Sequence, residues 1–140
     1  MTSKFSEMVC STFSGLINTL KLHLLKETYD PNFFGNSIIE LGGDTMRIRV
    51  IKDRGQIFVD IASPVDPDNW YFLERILEAV GSKTETPMNP DSPETLELSA
   101  KLIERHLDAI QAGLSAQNYH KTKAILHTIA QAAVARLLSD

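Results

Sequence analysis

The segment spanning residues 37–62 constrains the fold more than any other part of the chain, because its apolar side chains recur at every second position. A period of two is typical of half-buried β-strands, whereas amphipathic helices repeat every three or four residues. The pattern predicts three strands, at residues 37–41, 45–52 and 56–62. Gly43-Asp44 and Arg54-Gly55 are predicted to form the turns between them, since glycine adopts positive φ without steric cost. The segment is therefore predicted to be a three-stranded antiparallel meander.

The alternation also predicts which residues of neighbouring strands face each other. One face is apolar and must be the core side, because a shift of one residue would turn the whole set toward water. Its predicted pairs are Leu41 with Met46, Ile39 with Ile48, Val50 with Val59, and Ile48 with Ile61. The opposite face, called the outer face below, pairs Glu40 with Arg47, Arg49 with Asp60, and Ile51 with Phe58. Opposite charges across strands contribute up to about 1 kcal/mol per pair, so charge and alternation favour the same register.

Helical periodicity precedes the predicted meander. Apolar residues between Phe5 and Leu24 recur at steps of three and four, which predicts an N-terminal helix. This helix should end near residues 27–29, because Pro31 disfavours helical geometry at Asp30.

A short middle helix and a C-terminal helical hairpin are predicted after the meander. The middle helix covers residues 69–80, with Asp66 or Asp68 as its cap and Gly81 at its end. Its first turn contains three aromatic residues, Trp70, Tyr71 and Phe72. The hairpin is predicted over residues 92–113, ending at Gly113, and then over residues 115–138. One side of the last helix is marked by Ile125, Ile129, Ala132, Ala133, Arg136 and Leu137, whose alanines indicate close packing against a neighbouring helix.

Length and linker composition define the domain organisation. Residues 81–92 are polar and contain Pro87 and Pro90, so this long connection is expected to be a mobile linker. The 140 residues fit one domain, since domains most often have about 100–150 residues. Two domains are a poor alternative, because neither side of the linker would bury much core alone. The predicted fold class is α+β, with the three-stranded meander packed against the N-terminal helix, the middle helix and the hairpin.

Charge and composition narrow the possible partners. The formal net charge of −4 argues against nucleic acid, because nucleic-acid-binding domains usually carry a basic stripe. A mildly acidic domain favours a basic protein partner, although surface acidity that serves only solubility is the simpler explanation. Cys10 is the only cysteine, which suits a reducing compartment, and neither a signal-peptide pattern nor a long apolar run is present. The expected location is the cytoplasm, without membrane contact.

The sequence lacks the motifs of common catalytic and cofactor sites. His120 and His127 lie seven residues apart rather than the four that place two metal ligands on adjacent helical turns. No serine lies in a G-x-S-x-G elbow, and no glycine-rich phosphate loop is present. The carboxylates that would support acid–base catalysis, if two met in a cleft, are Glu40, Asp44, Asp53 and Asp60. Two of them face arginines in the predicted sheet, so ion pairs are favoured and no catalytic residue, metal or cofactor is predicted.

The outer face is the best candidate for a binding surface. It mixes arginine with aromatic and aliphatic side chains, which is a composition enriched at protein–protein interfaces. With the tryptophan near the middle helix added, the candidate partner-binding residues are Arg47, Arg49, Ile51, Phe58, Asp60 and Trp70. The competing expectation is that the C-terminal hairpin packs over this face and buries it.

Two runs of residues resemble a family of small uncharacterised bacterial proteins. The first covers residues 34–41, FGNSIIEL, after Tyr29, and the second covers residues 52–61, KDRGQIFVDI. Trp70 and Asn118-Tyr119 are similar too, so the resemblance spans most of the chain. Some proteins of this kind look like immunity proteins of bacterial toxin systems, which neutralise a toxin by binding it. The resemblance implies a protein partner, and no functional residue is carried over from it.

The leading hypothesis is a non-enzymatic protein-binding module, immunity-like in its action, that uses the outer face or the aromatic segment around Trp70. A second hypothesis is a structural homodimer that buries the first helix or the alanine-bearing last helix between two copies. A third is a small hydrolase with a carboxylate site, which would need two convergent acids in an apolar cleft.

Overall fold

A computed structural model describes residues 4–33, 35–82 and 88–139 of the chain. These residues form an α+β fold with six helices and one five-stranded antiparallel sheet. In chain order the elements are α1 (Lys4–Thr12), α2 (Ser14–Leu20), β1 (His23–Asp30), β2 (Asn36–Gly42), β3 (Arg47–Asp53), β4 (Gln56–Ala62), β5 (Tyr71–Phe72), α3 (Leu73–Ala79), α4 (Thr95–Arg105), α5 (Leu107–Leu114) and α6 (Tyr119–Ser139). The strands lie in sequence order, β1-β2-β3-β4-β5.

The predicted meander forms the centre of the sheet as β2, β3 and β4, but the prediction of only three strands is wrong. The additional strand β1 occupies the region expected to complete the first helix. That helix is interrupted near Phe13 and ends at Leu20, because Lys21 adopts a left-handed conformation with φ of 53°. The amide of Leu22 then donates to the carbonyl of Ile17 over 3.0 Å, which closes the helix end. Pairing with β2 therefore prevails over a helical period that continues to Leu24.

The predicted register is confirmed between β3 and β4 and wrong between β2 and β3. Val50 faces Val59, Ile48 faces Ile61, Arg49 faces Asp60 and Ile51 faces Phe58. Between β2 and β3, however, Leu41 faces Ile48, Ile39 faces Val50 and Glu40 faces Arg49. The cause is the connection, in which residues 43–46 form a four-residue loop closed by a 3.0 Å bond from the Gly43 amide to the Met46 carbonyl. The two-residue slip preserves the apolar face, because side chains alternate with a period of two.

The helices bury the inner face of the sheet. Ile39, Ile48, Val50 and Ile61 from this face join one core cluster with residues of α1, α2, α3, α4, α5 and α6. Among the helices, α1 contacts β2, while α3 and α4 contact β4. The C-terminal hairpin thus places its buried residues in the inner core and leaves the outer face to other elements.

The middle helix begins later than predicted. Tyr71 and Phe72 pair with Ile61 and Asp60 as the short strand β5, and α3 follows directly from Leu73. Neither predicted cap is used, because the residue before α3 is Phe72 and it makes no capping side-chain bond. An aromatic run has high β-propensity, which favours the added strand over a first helical turn.

The last helix packs with a side that overlaps the predicted one only in part, since Ile129 packs against the core and Ala133 is half-buried. Its buried residues are Tyr119, Thr122 and Leu126, whereas Ile125 and Leu137 are exposed. A helix rich in alanine offers several weakly apolar sides, so periodicity did not distinguish them. The alanines at positions 132 and 133 are exposed and half-buried, respectively.

Five positions of the predicted linker, residues 83–87, lie outside the described residues. Part of the remainder is held against β4. The amide of Ile57 donates to the carbonyl of Pro90 over 2.9 Å, and the side-chain amide of Gln56 donates to Asp91 over 3.0 Å.

Gly113 was predicted to mark the end of its helix, and it lies one residue before the end of α5, at a close packing contact. The first hairpin helix is divided at His106 into α4 and α5, and α5 continues to Leu114. A Cβ atom at Gly113 would lie only 2.5 Å from Cγ1 of Val80. Valine has few rotamers with which to avoid this overlap, so the site requires glycine for packing.

We expect Gly113→Ala to lower the free energy of unfolding by about 1–2 kcal/mol, because overpacking outweighs the gain in helix propensity. Chemical denaturation followed by circular dichroism measures the change. Gly15→Ala in α2 is the matched control. A Cβ atom at Gly15 would lie 3.0 Å from Oε1 of Glu104, at the flexible end of that side chain. That variant should be neutral or stabilised. Adding Val80→Ala should recover part of the Gly113→Ala loss, and strictly additive effects would contradict the overlap.

Candidate functional site

The six predicted partner-binding residues lie on the outer face or directly beside it. Arg47, Arg49 and Ile51 come from β3, and Phe58 and Asp60 come from β4. Trp70 immediately precedes β5 and reaches the same face. Ile51 and Phe58 are only partly buried, so this face remains accessible to solvent.

Trp70 is stacked on two arginine side chains. Its ring centroid lies 4.6 Å from the Arg49 guanidinium carbon and 5.4 Å from that of Arg47. Both distances allow cation–π attraction, because the ring face is electronegative. The alternation in β3 places the two arginines two residues apart on one face, which creates the platform for a single ring.

The arginine platform is fixed by carboxylates of the sheet. Nε and Nη2 of Arg49 donate to Oδ2 of Asp60 over 3.2 and 2.8 Å. Arg47 lies 3.9 Å from the Glu40 carboxylate and donates to the Pro67 carbonyl over 3.5 Å. Asp60 is only 4% exposed, although it lies on the outer face. Within the described residues, the buried Arg47 Nε and Asp60 Oδ1 have no hydrogen-bond partner.

Two further residues complete a shallow groove of about 400 Å³ beside Trp70. Phe72 of β5 pairs with Asp60 of β4, and its ring centroid lies 6.4 Å from that of Phe58. The Arg75 guanidinium carbon lies 5.4 Å from the centroid of the Phe72 ring. We refer to Arg47, Arg49, Phe58, Asp60, Trp70, Phe72 and Arg75 as the arginine–aromatic face.

Sequence reasoning missed Phe72 and Arg75 as members of this face. Phe72 was assigned to the middle helix, whereas it lies in β5. Arg75 was assigned to the same helix and does lie in α3, where its guanidinium group reaches the Phe72 ring. The available signal was the aromatic run before Leu73, since consecutive aromatic residues favour a strand whose alternate side chains share one face.

Asp66 connects the segment that carries Trp70 to the last helix. Its Oδ2 accepts the Tyr119 hydroxyl over 2.6 Å and the Lys123 ammonium over 3.0 Å, and Oδ1 accepts the Asn69 amide over 2.8 Å. Nearby, the buried Ser63 hydroxyl donates to the Leu114 carbonyl over 2.7 Å. These bonds hold both ends of residues 63–69 and thereby position Trp70.

The ionised form of Asp66 is stabilised by these donors. The Tyr119 hydroxyl contributes most and Lys123 next, and together they hold the pKa of Asp66 below its ordinary value of 3.8. The bond to Asp66 also raises the pKa of Lys123. Burial, followed by the bond to Asp66, raises the pKa of Tyr119.

The arrangement offers stacking, hydrogen bonding and charge. Of the four candidate acids, Glu40 and Asp60 lie beside arginines, while Asp44 and Asp53 are exposed in or next to turns. In the part of the chain described, no group of three or more His, Cys, Asp or Glu residues is placed to hold a metal ion.

Comparison of the chain with protein-family models, curated proteins and solved structures finds no match. None of the helices in the described residues combines the length and the apolar character needed to cross a membrane.

We expect acid to loosen the Trp70 segment at the pH where Asp66 becomes protonated. The pKa of Asp66 is lower in the folded protein than its ordinary value of 3.8. Its bonds therefore stabilise the fold fully above pH 3.8, and this stabilisation is lost as the pH falls through the folded-state pKa. Trp70 is the only tryptophan, so its fluorescence during an acid titration reports this step directly. Asp66→Asn should abolish the step.

Tyr119→Phe tests the largest cause of the shift. It should move the fluorescence midpoint to higher pH and lower the free energy of unfolding at pH 7 by about 1–2 kcal/mol, because one charge-assisted hydrogen bond is lost. Tyr29→Phe removes an equivalent hydroxyl from an exposed side chain and serves as the control. Equal midpoints in the two variants would show that Tyr119 does not set the pKa of Asp66.

Proposed function

We propose that this protein is a non-enzymatic module that binds another protein through the arginine–aromatic face, and that it acts as immunity proteins do, by occupying its partner. The observation that carries the proposal is Trp70 stacked on Arg49 and Arg47 on a partly exposed sheet. Tryptophan and arginine are the residues most enriched among those that dominate binding energy.

Preorganisation supports the same role. Arg49 is held by Asp60, and the segment before Trp70 is held by Asp66 and Ser63. Side chains that are ordered before binding lose less conformational entropy when a partner arrives. A rigid aromatic platform therefore binds more tightly than the same residues on a loose loop.

The charges of the face favour a partner segment that presents a carboxylate beside an apolar residue. Glu40 and Asp60 each lie beside an arginine, whereas Arg75 makes no ion pair within the described residues. Arg75 is thus a cation of the groove without a carboxylate partner, although Asp53 also lines the groove and balances the local charge. A carboxylate of the partner is therefore expected beside Arg75, next to the exposed Phe72 ring, whereas the basic partner expected from total charge would have to lie beside Asp53.

Variants that test binding without unfolding the protein must leave the buried Arg49–Asp60 ion pair intact. Replacing Arg49 would leave the Asp60 carboxylate unpaired and cost about 3–5 kcal/mol of stability, so lost binding could not be separated from lost folding. Phe72 is 48% exposed, and the Arg75 guanidinium lies over that ring without an ion pair in the described chain. Phe72→Ala with Arg75→Glu therefore removes groove contacts and reverses the free charge at little cost to the fold.

We expect tagged protein to capture one stoichiometric partner from lysate of its native cells, and the Phe72→Ala/Arg75→Glu variant to lose at least nine-tenths of it. Mass spectrometry identifies the captured protein, and titration of that purified partner should change Trp70 fluorescence. Arg105→Glu, an equal charge reversal on the exposed end of α4, is the control and should capture normally. Equal capture by the groove variant, or recovery of the bait alone, would reject the proposal.

A further inference from the structure

Strand β1 forms one edge of the sheet and is exposed along most of its length. It pairs with β2 on one side, and no described strand pairs with its other side. Leu24, Leu25 and Tyr29 are each about half exposed, at 48%, 50% and 55%. The strand has eight residues, so its free side presents a row of backbone donors and acceptors.

Edge strands of this kind are usually protected against pairing with another chain, and β1 has only partial protection of this sort. A β-bulge between Leu24 and Lys26 disturbs the start of the strand. From Lys26 to Asp30 the pairing with β2 is regular. These five residues therefore form a regularly paired edge strand that can accept another strand.

A two-fold axis perpendicular to the sheet restricts how β1 can pair with a second β1. Directly opposed residues must point to the same face, so the sum of their numbers must be even. If Lys26 or Asp30 lay on the axis, it would face its own copy, and like charges would repel. With Thr28 on the axis, Lys26 of each copy faces Asp30 of the other copy. Both residues lie on the outer side of the strand, because they pair with Glu40 and Asn36 of β2.

We propose that β1 pairs antiparallel with β1 of a second copy of this chain, centred on Thr28, to form a dimer with one continuous ten-stranded sheet. The two Lys26–Asp30 pairs fix the register, and the central Thr28 pair is a favourable cross-strand contact. Tyr29 comes to lie opposite Glu27 on the other side of the sheet. The opposite edge strand, β5, has only two residues, so the assembly closes as a dimer.

The second copy fits the β1 edge better than it fits the exposed end of α6. Leu137 and Leu138 are 78% and 83% exposed, so α6 also presents apolar surface. However, α6 contains Lys121, Lys123 and Arg136 and no acidic residue. Two copies of this helix would bring like charges together, whereas β1 supplies both signs within one strand.

The dimer would carry its two arginine–aromatic faces on the same side of the joined sheet. This follows from the two-fold axis, which rotates each copy without turning over its faces. A partner with two equivalent binding segments would then gain avidity without any new contact. The dimer itself does not depend on that binding function.

Sedimentation analysis of the full chain over a dilution series tests the proposal. We expect a reversible monomer–dimer equilibrium with a dissociation constant on the order of 10–100 μM, because the shared strand segment is smaller than standard stable interfaces. Amide hydrogen exchange in β1 should slow as the protein concentration rises. A monomer at every concentration up to about 1 mM would overturn the proposal.

A charge swap tests the register. Lys26→Glu and Asp30→Lys should each raise the dissociation constant at least tenfold, because each places like charges opposite one another. The double variant should restore dimerisation, since the exchanged side chains are again of opposite charge across the two-fold axis. Lys121→Glu, the same reversal on exposed α6, should leave the dimer intact. Thermal unfolding confirms that each variant is folded. Dissociation by Leu137→Asp but not by Lys26→Glu would place the interface on α6 and refute the β1 pairing.

Discussion

The rest of the structure depends on the burial of the inner face of β2, β3 and β4. Ile39, Ile48 and Val50 are completely buried there, beneath helices that contribute to the same core. Because each strand alternates, burying one set of side chains determines which residues the outer face presents. The arginines of β3 lie together for this reason. The core therefore positions the candidate site.

The same alternation explains how far sequence could predict the fold and the site. Whether a residue of a strand lies on the outer face depends only on whether its position is odd or even, here called its parity. The two-residue slip between β2 and β3 therefore left Arg47, Arg49 and Ile51 on the expected face. The slip itself depends on the loop closed between Gly43 and Met46, which parity does not constrain.

The misassigned elements have a common cause, which is that local patterns compete with tertiary pairing. The helical period continues to Leu24, yet the edge of β2 offers residues 23–30 a ladder of hydrogen bonds. Phe72 and Arg75 escaped prediction because their place on the face depends on the pairing of β5 with β4.

The polar cluster under Trp70 is costly if stability alone is considered. A buried carboxylate and guanidinium lose hydration, and apolar residues of similar size often stabilise a protein as well or better. Here Asp60 Oδ1 and Arg47 Nε also lack partners within the described residues, which adds about 1–3 kcal/mol for each. What the cluster provides instead is a charged platform that orients one aromatic ring. The binding role proposed above would give this cluster a use that folding alone does not.

The two surfaces occupy different parts of one sheet, and this geometry separates the proposals physically. The arginine–aromatic face is centred on β3, β4 and β5, whereas the free edge belongs to β1, with β2 between them. Substitutions at sites without shared contacts usually have additive effects. Lys26 lies in β1 at one edge of the sheet, whereas Arg75 lies in α3, directly after the strand at the other edge. Reversing either charge should therefore not alter the function of the other surface. A sheet with a buried inner face can in this way present a binding platform and an assembly edge without either one limiting the other.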